Sequence, residues 1–103
     1  MELTVLERLL IQNLLPEKGS YTNLKLMRVA REALSFDEAE NKALQFNQEG
    51  EMLNWKEGVV PEKDIKIGEI VTEMIKKALK DLNDKEELKP EQFSLYEKFV
   101  ENA

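Results

Sequence analysis

Residues 44–55 read LQFNQEGEMLNW, and this segment distinguishes an α+β chain from an all-helical one. Apolar and polar residues alternate on both sides of a polar centre that contains Gly50, a pattern typical of a β-hairpin. The apolar residues of the two arms can share one face: Leu44, Phe46, Leu53 and Trp55. Because an isolated hairpin is only marginally stable in water, we expect it to pack on helices or to gain a third strand, for which residues 64–67 are the candidate.

Three helices are predicted before the hairpin. Thr4 and Glu7 have the spacing of a capping box, in which a side-chain oxygen and a carboxylate satisfy each other's free backbone N–H groups. Pro16 ends this first helix, because proline lacks an N–H group and clashes with the preceding turn. The same capping spacing recurs at Ser35 and Glu38 and predicts the start of the third helix. The predicted bounds of the three helices are about 4–15, 22–34 and 35–43.

Two more helices are predicted after the hairpin. Residues 68–82 carry apolar side chains at a regular helical period. Pro90 suits the first turn of a last helix, where its missing N–H group costs nothing.

The chain is therefore predicted to be one α+β domain over residues 1–103, mostly helical, with four to five helices and the small antiparallel hairpin. The apolar faces predicted for the second, fourth and last helices are Leu26, Met27, Val29, Ala30, Ala33 and Leu34; Ile70, Val71, Met74, Ile75, Ala78, Leu79 and Leu82; and Phe93, Leu95, Tyr96, Phe99 and Val100.

The first helix has more apolar surface than one contact with a core requires. A helix that is apolar around most of its circumference either lies at the centre of the core or packs on another chain. Its broad face contains Val5, Leu6, Leu9, Leu10 and Leu14 together with Leu3, while Ile11 and Leu15 fall outside that face. We therefore predict core packing plus contact with another subunit, and the candidate interface residues are Leu6, Leu10, Ile11, Leu15, Trp55 and Val59.

The composition excludes several classes of site. The chain has no cysteine and no histidine, which removes thiolate metal sites, disulfides, cysteine nucleophiles and every catalytic arrangement that uses imidazole. The net charge of -6 opposes broad electrostatic binding to nucleic acid or to anionic lipid. No stretch approaches the roughly 20 apolar residues that a membrane span requires. We expect neither a nucleic-acid partner nor a membrane partner.

Lys25, Arg28 and Arg31 form a slanted basic stripe on the second helix. Such a stripe can bind an anion or an acidic partner surface, since guanidinium groups match carboxylates and phosphates. The simpler interpretation is a solvated helix face, with Arg28 and Glu32 spaced for an ordinary ion pair. The stripe also supports an alternative function, a nucleic-acid-binding regulator.

Carboxylates are the remaining candidates for chemistry. Glu69 and Glu73 lie four residues apart on one predicted helix face, but their position also complements the helix dipole. The four glycines are scattered singly, so no phosphate-binding loop can be assembled. The sequence predicts no catalytic residue, no cofactor, no metal ligand and no small-molecule substrate. A carboxylate-only or magnesium-dependent enzyme stays open as a third interpretation, because magnesium binds carboxylate oxygens.

Several short segments resemble small uncharacterised proteins encoded by tailed bacteriophages and prophages. The segments are LTVLERLL at 3–10, NLLP at 13–16, ALSF at 33–36, QEG at 48–50, IGE at 67–69 and LYEKF at 95–99. The resemblance implies no activity and no ligand. It implies a compact accessory protein of a phage or an integrated element, acting in the cytoplasm of a bacterial host cell or in the virion.

Together these observations predict a non-enzymatic accessory protein of phage or prophage type that acts through protein–protein contacts. The surplus apolar surface of the first helix predicts that the chain self-associates, with a second copy or another protein as its partner. The predicted alternative is the nucleic-acid-binding regulator that uses the basic stripe.

Overall fold

The first helix begins where the sequence predicts it. In the computed structural model, which describes residues 1–101, the Glu7 N–H donates to Thr4 Oγ1 at 3.1 Å and the Thr4 N–H donates to Glu7 Oε1 at 2.9 Å. This reciprocal pair is the predicted capping box, and the prediction is confirmed. Helix α1 spans Val5–Leu14, α2 Tyr21–Leu34, α3 Glu38–Leu44, α4 Glu69–Asp84 and α5 Phe93–Tyr96.

Helix α3 starts later than predicted. Its cap is Asp37, whose Oδ1 accepts from the Glu40 N–H at 2.7 Å, while the Asp37 N–H donates to Glu40 Oε1 at 3.0 Å. The predicted box of Ser35 and Glu38 is therefore wrong. Ser35 instead ends α2, because its N–H donates to the Arg31 carbonyl at 3.0 Å. Ser35 and Asp37 are both residues that can cap a helix. Ser35 caps the end of α2, and Asp37 caps the start of α3.

The predicted hairpin forms, with strands β2 (Asn47–Glu49) and β3 (Met52–Asn54) paired antiparallel. Its first arm is shorter than predicted, because Leu44 is the last residue of α3 and is buried. Gly50 starts the two-residue turn at a φ of 61°, a backbone conformation that glycine adopts without steric cost. The candidate third strand does not join this sheet. Strand β4 (Lys63–Asp64) pairs instead with β1 (Glu2–Leu3), so two separate two-stranded antiparallel sheets form within residues 1–101. The α+β prediction is confirmed.

The core lies between α1, α2, α4 and the C-terminal helical segment, in which a 3-10 turn at Pro90–Gln92 precedes α5 and a π-helical turn at Glu97–Glu101 follows it. Leu3 and Ile65 bring the β1–β4 pair into this core. The fully buried apolar side chains include Leu3, Ile11, Leu34, Ile75, Leu79 and Leu95. Phe93, predicted on the packing face of the last helix, is exposed instead.

Helix α1 is rotated relative to its predicted orientation. Ile11 and Leu15 are buried, while Leu6 is 36% exposed. Two charged residues, Glu7 and Arg8, lie one helical turn before Ile11 and share its buried face. The prediction sorted the face by apolar residues alone, so it left Ile11 and Leu15 outside the face and did not anticipate the burial of Glu7 and Arg8.

Arg8 explains this orientation. Its guanidinium group is fully buried, with Nη1 donating to Glu40 Oε2 at 2.7 Å and Nε donating to the Leu34 carbonyl at 3.1 Å. Nη2 donates to the Ser35 carbonyl, and the group lies over the Phe36 ring at 4.1 Å from its centroid. One side chain of α1 therefore holds the end of α2, the connecting turn and the start of α3.

An aromatic chain extends this contact to the hairpin. Phe36 stacks at a tilt on Phe46, with ring centroids 5.3 Å apart, and Phe46 packs in the same way on Trp55 at 6.1 Å. Such tilted aromatic pairs are favourable beyond the area they bury. The Lys56 N–H also donates to the Leu44 carbonyl at 2.8 Å, which joins the end of the hairpin to the end of α3. The hairpin thus packs on helices, as its limited intrinsic stability requires.

We expect Arg8→Lys to lower the free energy of unfolding by about 2–4 kcal/mol, because a lysine cannot donate to two carbonyls and a carboxylate from one planar group. Urea titration followed by circular dichroism measures this change. Arg28→Lys is the matched control, since Arg28 is exposed and pairs loosely with Glu32. The control is expected to stay within about 0.5 kcal/mol of the original chain. An Arg8→Lys variant as stable as this control would show that the guanidinium contacts do not hold the fold.

Candidate functional site

Three of the predicted interface residues lie at the surface around one hollow. Leu6 and Trp55 line a hollow of about 280 Å³ between α1 and the segment after the hairpin. Val59, which is 46% exposed, follows Gly58 at the edge of this hollow and lines the neighbouring one. Leu6, Trp55 and Val59 are called the hairpin surface below. This part of the predicted interface is available for contact.

The other three predicted interface residues are not on this surface. Ile11 and Leu15 are buried in the core of the single chain, so their assignment to an interface is wrong. Leu10 is partly buried and packs against the same core. The physical reason is the rotation of α1, which turns the side of the helix that contains Ile11 inward to bring Arg8 to its partners.

A second apolar surface was not predicted as an interaction site. Val29 of α2 and Ile70 of α4 are 60% and 53% exposed, although the helical periodicity placed both on faces that pack in the core. They line the same groove of about 300 Å³. The full lining of this groove, called the α2–α4 surface below, is Leu26, Val29, Ala30, Lys66, Gly68, Glu69, Ile70 and Val71.

The groove continues along both helices. A further hollow of about 360 Å³ is lined by Asn23 and Met27 of α2 and by Met74 and Ala78 of α4. The earlier residues of α2 therefore face the later residues of α4, while Val29 faces the start of α4. Helices α2 and α4 run antiparallel, with the exposed Val29 and Ile70 close to each other along the groove.

The basic stripe is only partly free for binding. Lys25 is exposed, and the Arg28 guanidinium is 3.9 Å from a Glu32 carboxylate oxygen, a loose surface pair of little energetic value. Arg31 is half-buried and its Nη2 lies at 3.5 Å from the Pro16 carbonyl, across the loop between α1 and α2. The stripe is therefore divided, with one residue turned toward the protein and two toward solvent.

The most buried carboxylate belongs to Glu7, and all its contacts are internal. Oε1 accepts from Lys98 Nζ at 2.7 Å, and Oε2 accepts from Ser94 Oγ at 2.8 Å. Burial alone raises the pKa of the Glu7 carboxyl, but the hydrogen bonds from Lys98, the Thr4 N–H and Ser94 outweigh it and hold the pKa below its ordinary value. A carboxylate stabilised in this way is a weak base, and it ties α1 to the C-terminal segment.

Glu40 is a second carboxylate with a lowered pKa, and its shift is large. The hydrogen bonds from Arg8 lower the pKa of Glu40 to about 2, and the Asp37 N–H and the Lys63 charge act in the same direction. Every buried side-chain nitrogen and oxygen within residues 1–101 has a hydrogen-bond partner. Glu7 and Glu40 are thus both engaged in holding helices together.

The carboxylate pair that the sequence singled out has no third acidic side chain placed with it to hold a metal ion, among the residues that the structure describes. Glu69 and Glu73 lie on the first two turns of α4, and Glu73 is 3.7 Å from Lys76 Nζ. Across residues 1–101, no cluster of three or more acidic side chains is placed to hold a metal ion. None of the helices described there has the length and apolar character needed to cross a membrane.

Comparisons with protein-family models, curated proteins and solved structures find no match for this chain. Its surfaces are therefore interpreted from their own geometry.

We expect Glu40→Gln to lower the free energy of unfolding by about 2–3 kcal/mol at neutral pH, because the pKa of Glu40 is about 2 when folded against an ordinary value of 4.5. A depressed pKa stabilises the folded chain above the unfolded value. The difference between the original chain and Glu40→Gln should therefore be complete above pH 4.5 and shrink as the pH falls toward about 2.

Urea titrations at a series of pH values measure this difference. Glu38→Gln is the control, because Glu38 is highly exposed and meets only Lys42, at 3.6 Å. A Glu40→Gln difference that stays constant over the whole acid range would contradict the assigned role of the Arg8 pair.

Proposed function

We propose that this chain is a non-enzymatic accessory protein that acts through protein–protein contacts, and that it self-associates. One observation carries the proposal: Val29 and Ile70 are both more than half exposed and lie over a shared apolar groove. Scattered single hydrophobic residues are normal on protein surfaces, whereas adjacent ones over a groove are typical of contact sites.

The energetics favour coverage of this groove. Each apolar Å² removed from water contributes roughly 25 cal/mol, so covering the two side chains and the groove walls supplies part of the free energy of association. The hairpin surface offers a second, separate area, where Leu6 and Val59 are exposed beside Trp55. Aromatic side chains are enriched at the energetic centres of interfaces. The chain thus has two apolar areas with no lining residue in common.

The internal use of polar groups supports a non-enzymatic role. Glu7 and Glu40 have lowered pKa values and contact Lys98 and Arg8, so neither is poised near neutral pH to exchange a proton. The alternative function, nucleic-acid binding, is supported only by Lys25 and Arg28 on a chain with a net charge of -6. Phosphate binding draws on several such contacts at once.

The resemblance of short segments to phage and prophage proteins supplies the context of the proposal. A small accessory protein of this kind acts in a bacterial cell or in a virion, where local concentrations of one product are high. A dimer of modest affinity can form in such a setting, because the fraction of chains in the dimer rises with the concentration of the protein.

Sedimentation equilibrium tests the self-association. We expect the mean mass to rise from that of one chain toward that of two between about 1 μM and about 500 μM, the range of dissociation constants typical of weak association. Light scattering on the same samples checks that the rise is not caused by aggregates. A constant mass of one chain over the whole range would contradict the proposal.

A further inference from the structure

The two exposed apolar residues of the α2–α4 surface have charged neighbours in the same order. On α2, Lys25 precedes Val29 by four residues and Glu32 follows it by three. On α4, Glu73 follows Ile70 by three residues, and Lys66 precedes it by four, in the segment just before the helix begins. On α2 these spacings place Lys25 and Glu32 on the same side as Val29, and on α4 the spacing places Glu73 on the same side as Ile70. Lys66 lies outside the helix and lines the groove together with Ile70.

All four charged side chains are available for new contacts. Lys25 and Lys66 are exposed, and the carboxylates of Glu32 and Glu73 are largely exposed as well. Glu32 has only Arg28 nearby, at 3.9 Å, and Glu73 has Lys76 at 3.7 Å. Exposed pairs of this kind contribute little, so a better-placed partner can replace them.

Along α2, and along α4 with the segment before it, the order is lysine, apolar residue, glutamate. Because α2 and α4 are antiparallel, the lysine of one lies beside the glutamate of the other at each end of the surface. Because the two helices run in opposite directions with Val29 and Ile70 close together, Lys25 lies toward the same end of the surface as Glu73. Glu32 lies toward the other end, together with Lys66. The apolar centre is thus flanked at each end by one positive and one negative charge. At one end the positive charge is on α2, and at the other end it precedes α4.

Such a pattern is complementary to itself. When a copy is turned over about a two-fold axis that runs across both helices, each helix meets its own counterpart in antiparallel orientation. The lysine before the apolar residue then faces the glutamate after it, and the apolar residues meet at the centre. Two-fold dimers require a surface of this self-complementary kind, in which each contact occurs twice.

We propose that the α2–α4 surface is the dimer interface of this protein, with a second copy of the chain as its occupant. Lys25 pairs with Glu32 of the second copy, Lys66 pairs with Glu73 of the second copy, and Val29 and Ile70 form the apolar centre. This inference rests on the proposed self-association and specifies where it occurs and with which symmetry.

Charge exchange within α2 tests the inference. We expect Lys25→Glu and Glu32→Lys, each alone, to weaken the dimer about tenfold at low salt, because each change sets like charges opposite each other at two symmetry-related places. The double variant Lys25→Glu/Glu32→Lys restores opposite charges at both places, so its dissociation constant should return to within about twofold of the original value. Sedimentation equilibrium measures all three, and circular dichroism confirms that each variant is folded.

Matched controls come from α3, where Glu38 and Lys42 are exposed and four residues apart. Lys42→Glu and Glu38→Lys change the net charge by the same amounts and should leave the dissociation constant unchanged. Val29→Glu, which places a charge at the apolar centre, should abolish the dimer, whereas Val59→Glu on the hairpin surface should not.

The outcomes separate the inference from the proposed function. If the original chain is a single chain at all concentrations, the self-association itself is wrong. If it dimerises but Val59→Glu abolishes the dimer and Val29→Glu does not, self-association stands and the α2–α4 surface is the wrong site. If Val29→Glu abolishes the dimer but the double variant binds no more tightly than the single variants, the two-fold arrangement proposed here is overturned.

Discussion

The hydrogen bonds of the buried Arg8 guanidinium constrain the rest of the structure. A buried charge is tolerated only when its donors are satisfied and an opposite charge lies close, and Arg8 finds both in the Leu34 and Ser35 carbonyls and in Glu40. These partners belong to the end of α2, the turn and the start of α3. The orientation of α1 is therefore set by where a charge must go, and Ile11 enters the core because it lies one turn from that charge.

Glu7, the residue before Arg8 in α1, makes a second set of buried contacts. Its carboxylate binds Lys98 and Ser94 of the C-terminal segment, while Arg8 binds the α2–α3 turn. Two adjacent residues thus connect the first helix to distant parts of the chain on two sides. These charges are used inside the fold, whereas Val29 and Ile70 remain uncovered on the surface where we propose association.

Local patterns in the sequence predicted local structure well. The Thr4 cap, the Gly50 turn and the existence of helix α4 each depend on residues a few positions apart, and each is confirmed. Features that depend on distant residues were missed. The β1–β4 pair has two residues in each strand, too few to show alternation. The burial of Arg8 depends on Glu40, 32 residues away, and the one available signal was a pair of charges that interrupts an apolar run. Periodicity also assigned Val29 and Ile70 to the core. It shows which face of a helix is apolar, but it does not show whether another element of the same chain packs on that face.

The most direct measurement uses the absence of cysteine from the chain, which makes a single introduced thiol unique. In the two-fold arrangement, Val29 lies near the axis and faces its own counterpart, so Val29→Cys should form a disulfide-linked dimer rapidly under mild oxidation. Val59→Cys, exposed to a similar extent on the hairpin surface, should not become disulfide-linked under the same conditions, although the chain still dimerises. Equal cross-linking of the two variants, or faster cross-linking through residue 59, would contradict the account.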